Sequence, residues 1–174
     1  AIKKEHKRID YLITEFARFN AKRKPPAPPA HLIVAGARDQ ETEALEAMAD
    51  TIGDGRIHLL VNQKRSHMPE LLNTADAFVL TSLFEMMPIA VLEALASGLP
   101  VVAHSHPVLE WMVGRGGACI DLSKEGALTE GLESISREWI EKKSRLARRH
   151  ALDNFSKDAV IDCYWQLYQK ILAR

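Results

Sequence analysis

Hydrophobic positions along this chain switch repeatedly between two periods. Between residues 8 and 22, Ile9, Leu12, Ile13, Phe16 and Phe19 recur at three- and four-residue steps, which predicts an amphipathic helix. The next apolar run, HLIVAG at 31–36, is short and continuous, as expected of a strand covered on both faces. Between them KRKPPAPPA is a proline-rich loop that can be neither helix nor central strand. The alternation then continues with a helix at about 40–51, the strand RIHLLV, the short helix MPELLNTA and the strand AFVLTS. A helix from Pro88 to Ser97 follows, then the strand LPVVAH, a short helix at Pro107–Val113 and a last strand, GACIDL. A long helix is predicted from about Lys124 to Ala147, and another after Asn154 with Ser156 as its N-cap. This order implies an α/β fold: a doubly wound, Rossmann-like parallel sheet of five strands with helices on both faces. Residues 1–174 read as a single domain, of which 156–174 form a C-terminal helix expected to pack toward sequence outside these residues.

The helix at 88–97 carries the most specific chemistry. Pro88 suits a first turn, where its missing N–H is no loss. Gly98 and Pro100 end the helix, the glycine as a left-handed cap and the proline as a breaker. The helix opens at the carboxyl end of a strand, where α/β sheets bind ligands and where amide groups attract phosphate. Glu93 lies five residues past Pro88, about 7.5 Å along the axis, and helical side chains lean back toward the N-terminus. Its two oxygens match the two donors of a ribose diol. Glu85, in the loop, stands on the other side of the expected phosphates, where an attached sugar would meet it. A glutamate in a helix is commonly a solvated charge. Here, however, IAVLEALA is apolar nearly all round, so the helix is expected to be buried on most faces and Glu93 to need a partner or an opening to water.

The run SLFEMMPIAVLEALASGLPVVA, Ser82 to Ala103, resembles the signature of retaining glycosyltransferases of the GT-B fold, group 1 (family 4) type: S-x-x-E-G-F-G-L-x-x-L-E-A-x-A-x-G-x-P-V-V-A. The resemblance continues through HLIVAG, GRIHLL, ADAFVLTS and NFSKDAVIDCYWQLYQKIL, and so covers most of the chain. It implies the donor-binding, C-terminal half of such an enzyme, moving a sugar from a UDP-, GDP- or ADP-linked donor to an acceptor of unknown identity. Glu93 would hold the ribose and Glu85 would orient the sugar. Met86, Met87, Pro88 and Ile89 would line the diphosphate turn. Lys7, in KRIDYL, matches the lysine of the family's K-G-x-D-x-L-I and would contact the donor phosphates. Gly36 ends a strand at the ligand edge, and Val61 and Asn62 begin a loop that in the family packs against the base, chiefly through its backbone. Glu110 matches a family acid of structural character. One departure stands out: Met86 occupies a position where glycine is usual, and is expected to narrow the site or change which sugar fits.

In that family the first helix follows a central strand, and an acceptor-binding N-terminal domain completes the cleft. Neither is found in these 174 residues. Without its central strand, an open parallel sheet would leave backbone groups unpaired. The natural protein is therefore expected to extend further, and this piece alone to be inactive. Any peripheral membrane contact would come through the missing part.

Composition narrows the alternatives. Formal charge is zero, with 23 basic and 23 acidic residues, so nothing favours nucleic acid as a partner. Basic runs such as EKKSRLARRH read as solvated helix faces. Cys119 and Cys163 are expected to be buried thiols, not a disulfide framework. No cysteine–histidine spacing suggests zinc, no metal is expected, and the family implies no cofactor. His104 and His106 read as loop surface near a strand end, and methionines such as Met68, Met86 and Met87 are more often gap-fillers than ligand contacts, although Met86 and Met87 stand at the site mouth by position. With no apolar stretch long enough to span a bilayer and no secretory signal, a cytoplasmic setting is the default expectation. A sugar-nucleotide epimerase of the same architecture, or a non-catalytic nucleotide-binding domain, are the rival readings. A dinucleotide fingerprint is missing, since VAGARDQ has one glycine only.

Overall fold

A computed structural model describes residues 1–173. Its elements follow the expected alternation: α1 (Ile9–Lys22), β1 (Leu32–Gly36), α2 (Thr42–Ile52), β2 (Ile57–Val61), α3 (Met68–Thr74), β3 (Phe78–Leu80), α4 (Ile89–Ala96), β4 (Val101–His104), α5 (Pro107–Val113), β5 (Gly117–Ile120), α6 (Ala127–Glu133), α7 (Arg137–Phe155) and α8 (Lys157–Leu172). All strand pairs are parallel.

The five strands form two sheets, not the expected one. β1 pairs with β2, from Leu32 opposite Ile57 to Gly36 opposite Val61, while β4 lies between β3 and β5. β1 and β3 share no ladder, so each keeps one edge without a strand. What joins the two sheets is side-chain packing. Ile9, Leu12, Ile13, Phe16 and Phe19 of α1 share one buried core with Val34 of β1, Ile57 of β2 and Val102 of β4. The neighbours of Val102 on β4, Val101 and Ala103, point into a second core with Val91, Ala94 and Leu95 of α4, Leu109 and Met112 of α5, and Ala147 and Ala151 of α7. Period-2 alternation along β4 thus places helices on both of its faces, as the run LPVVAH requires.

Before α1, residues 1–8 form no regular element. Ile2 is buried in the α1 core and its N–H donates to Ala37 O at 3.0 Å. Arg8, which stands where the resembling motif has glycine, takes a left-handed backbone (φ 51). Two contacts hold it there: its guanidinium donates to Leu122 O at 2.6 Å and lies 4.1 Å from the Tyr11 ring centroid.

The predicted long helix at 124–147 is in fact two, α6 and α7. The break at Ser134–Ser136 is chemical: Ser136 Oγ accepts from Trp139 N–H at 3.1 Å and so caps a new helix. Ser156 caps α8 in the same way, as expected. Gly98 takes the expected left-handed cap (φ 81). Glu15 of α1 is fully buried and acts as a cap for α6, accepting from the amides of Gly126 and Thr129, both at 3.0 Å, from Thr129 Oγ1 at 2.9 Å and from Arg18 Nη1 at 3.0 Å. This network fixes α1 against the end of the second sheet and thereby places Lys7 just ahead of it.

Cys163 is exposed on α8, contrary to expectation, whereas Cys119 is half-buried and burial pushes its thiol up to about 11. α8 turns an apolar stripe, including Ile161, Tyr164, Trp165 and Tyr168, to solvent. Among the described residues, no helix is long and apolar enough to cross a membrane.

Candidate functional site

The loop Thr81–Pro88 leaves the carboxyl end of β3 and delivers the chain into α4. Pro88 is the N-cap, not a first-turn residue: its backbone is extended (φ −72, ψ 102) and the helix proper begins at Ile89. No side chain caps this end. The amides around Met87–Ile89 are thus left for solvent or a ligand, at the position where a helix terminus favours negative charge.

Glu85 sits immediately before that terminus. Its carboxylate is mostly buried, with 10% of the side chain exposed. Lys7 Nζ donates to Glu85 Oε1, across 78 residues of sequence. His6 Nε2 approaches the same oxygen at 3.5 Å. Thr81 secures this meeting from the other side, its hydroxyl donating to Lys7 O at 2.6 Å. Burial pushes the Glu85 carboxyl upward, but the Lys7 hydrogen bond, the neighbouring Ser82 hydroxyl and the charges of Lys7 and His6 outweigh it and hold the group below its ordinary range. Glu85 is therefore a carboxylate at neutral pH, facing a cation that a diphosphate could share.

Glu93 lies on the open side of α4, opposite Val91, Ala94 and Leu95, which are buried. The expectation of a helix buried on most faces is corrected here, since Ile89, Ala90 and Ala96 also reach solvent. The Glu93 side chain is 36% exposed, and Arg65 Nη2 donates to its Oε1 at 2.9 Å. Arg65 opens a single 3-10 turn, Arg65–His67, in the loop after β2.

That loop begins with Val61 and Asn62. Asn62 holds a left-handed backbone (φ 55), donates its N–H to Gly36 O at 2.8 Å and accepts from Arg38 N–H through Oδ1 at 2.9 Å. Its side chain therefore serves the turn itself. Gly36 is close to protein: a Cβ there would meet Ile2 Cγ1 at 3.0 Å, so the approach it permits is to the N-terminal segment. Met86 and Met87 are not gap-fillers, as they are 75% and 51% exposed. Phe84 and Ile89 are also exposed, so four apolar side chains within residues 84–89 reach solvent. Met68 is half-buried. His106 caps α5 through Nδ1 and meets the Phe84 ring edge-on at 5.3 Å, while His104 Nδ1 accepts from Leu122 N–H. Both imidazoles are committed to local structure, as is Glu110, which accepts from Ser105 Oγ.

The segment 85–93 thus has a charged pair at each end, Lys7–Glu85 and Arg65–Glu93, with an uncapped helix start between them. His6 and Arg65 were missed in the sequence. Each lies in a basic run, KKEHKR or QKRSH, that looks like solvated surface, and only the fold shows which member of the run meets an acid. Among the described residues no group of three or more histidine, cysteine, aspartate and glutamate side chains is placed to hold a metal.

Comparison with known proteins fits this geometry. Residues 1–138 match the family model Glycosyl transferases group 1. The chain belongs to the group 1 glycosyltransferases. Its fold is that of GT-B enzymes. This group 1 chain is 28% identical over 134 residues to the lipopolysaccharide core biosynthesis glycosyltransferase LpsE of Rhizobium meliloti (strain 1021), covering 74% of the chain and 38% of the relative. A shorter stretch of 44 residues is 48% identical to the UDP-Gal:alpha-D-GlcNAc-diphosphoundecaprenol alpha-1,3-galactosyltransferase of Escherichia coli, covering 25% of the chain and 11% of that relative. In three dimensions the chain superposes on Anabaena Alr3699/HepE, solved in complex with UDP, with a TM-score of 0.76 at 20% identity. That match covers 97% of the chain and 46% of HepE. The group 1 chain therefore spans less than half the length of each of these three proteins.

Proposed function

We propose that this chain is the donor-binding, C-terminal half of a retaining family 4 glycosyltransferase that uses a uridine diphosphate sugar. The observation that carries the reading is the Lys7–Glu85 pair set against the uncapped start of α4. The diphosphate leaving group gains negative charge as the sugar departs. In this reading Lys7 and the α4 amides are the donors that meet that charge, the kind of arrangement that stabilises a developing anion best. Glu85, kept ionised by Lys7, orients the sugar hydroxyls. Glu93 takes the ribose diol, and the Val61–Asn62 loop and Gly36 border the base. Uridine is favoured because one relative is named for a UDP-linked donor and a structural neighbour was solved with UDP. One relative is named for GlcNAc-diphosphoundecaprenol and the other for lipopolysaccharide core biosynthesis, which supports a glycan or glycolipid acceptor, bound largely by sequence outside this chain. The same outside sequence would supply an acceptor-binding domain and a strand for the unpaired edges of β1 and β3. A cytoplasmic setting suits a nucleotide-sugar donor.

Calorimetric titration of the chain with UDP, GDP, ADP and their sugars tests the reading. UDP is expected to bind best, and Glu93→Ala to weaken it by about tenfold or more, the loss of two hydrogen bonds to a charged acceptor. A folded chain that binds none of the three nucleotides overturns it.

A further inference from the structure

We infer that Arg65 is the positioning residue of the donor site, holding the Glu93 carboxylate in the orientation that receives the ribose; the inference rests on the donor-binding reading of Glu93. The contrast with Glu15 shows why such a residue is needed. Glu15 is locked by two amides, a hydroxyl and a guanidinium. Glu93 projects from the open side of α4, and Arg65 Nη2 is the one group among the described residues that hydrogen-bonds its carboxylate. A glutamate with several free torsions and one anchor takes its direction from that anchor.

Arg65 does not fill the seat it organises. A carboxylate offers about four acceptor positions, and this contact uses one of them, on Oε1. Both positions on Oε2 and one on Oε1 stay open for two ribose hydroxyls. The contact uses only Nη2, so Arg65 can remain on Glu93 while a nucleoside enters. Its backbone suits the role. The preceding residue, Lys64, is extended, and the 3-10 turn Arg65–His67 leads directly into α3. The guanidinium is thus presented from a short ordered turn and not from a long loop, although the side chain itself is 85% exposed. That exposure limits the strength of the contact and makes its effect on binding moderate.

The test is titration of UDP into the full chain, its Arg65→Ala, Arg65→Lys and Glu93→Ala variants, and the double variant, each checked for an unchanged melting temperature. Arg65→Ala is expected to weaken UDP roughly threefold to fivefold, the range one exposed ion pair supplies. Arg65→Lys should recover most of that loss. In the Glu93→Ala background, Arg65→Ala should change nothing further, because its action passes through the carboxylate. Three results overturn the inference while leaving the ribose reading intact, provided that Glu93→Ala still weakens UDP: unchanged binding in Arg65→Ala, tighter binding, or a loss that persists undiminished without Glu93. If Glu93→Ala itself has no effect, the ribose reading fails first, and the assignment of Arg65 fails with it.

Discussion

Replacing Glu15 should be among the most damaging single polar changes in this protein. Glu15→Ala strips the Gly126 and Thr129 amides of the carboxylate that accepts both at 3.0 Å, at a site 1% exposed. Thr129 Oγ1 keeps a partner in Glu15 O at 3.0 Å, so two amides are left without acceptors. At about 1–3 kcal/mol for each unsatisfied buried group, the loss comes to about 4 kcal/mol. Glu15→Gln keeps the volume but turns an N–H toward one of these donors, and should cost about 2 kcal/mol. For a chain of this length, that is a fall in melting temperature of about 8–16 °C for alanine and about half as much for glutamine. Urea unfolding followed by tryptophan fluorescence and circular dichroism measures it directly. The same residue predicts an acid limb. Burial pushes the Glu15 carboxyl up, but the two amides, the Thr129 hydroxyl and Arg18 together hold it below its ordinary value. Its stabilisation is therefore fully present above the unfolded carboxyl pKa of about 4.3 and is lost as pH falls through the lower folded value. Wild type should lose stability more steeply than Glu15→Gln below about pH 4. A glutamine variant within about 0.5 kcal/mol of wild type, or identical acid limbs, would refute the capping argument.

Two further outcomes follow from local geometry. Asn62→Ala should cost about 2 kcal/mol in urea unfolding, from a left-handed backbone without the side chain that tolerates it and from the lost bond to Arg38 N–H, whereas Asn62→Gly should cost about half of that. Thiol labelling at pH 8 should be biphasic: exposed Cys163 reacts at once, and Cys119, its thiol raised to about 11 by burial, reacts slowly until denaturant is added; equal rates would contradict its placement.

The order of strands and helices was already legible in the sequence because burial imposes a local period. The α1 stripe from Ile9 to Phe19, the β4 run and the left-handed cap at Gly98 all came out where periodicity and turn chemistry put them. The break between α6 and α7 was not, since Ser136 is one polar residue in a polar stretch until its hydroxyl is seen to cap Trp139. The α8 stripe is legible in the same way, a helical apolar period whose face meets solvent among the described residues, because a pattern states what could be buried and not what arrives to cover it.

For the site, the sequence by itself determined the two carboxylates at 85 and 93, the proline and glycine that bound the helix between them, and the family those residues resemble. Only the tertiary structure decided which cations meet them. Lys7 reaches Glu85 across 78 residues and Arg65 reaches Glu93 across 28. Neither distance leaves a trace in local pattern, because a side chain's charge is written in the sequence but its partner is selected by how the sheets and helices pack. The same packing decided that Asn62 would turn into the left-handed region and that Met86 would stand clear of the core. Periodicity reports the solvent on either side of an element, whereas a binding site is a meeting of elements, and that meeting exists only once the chain has folded.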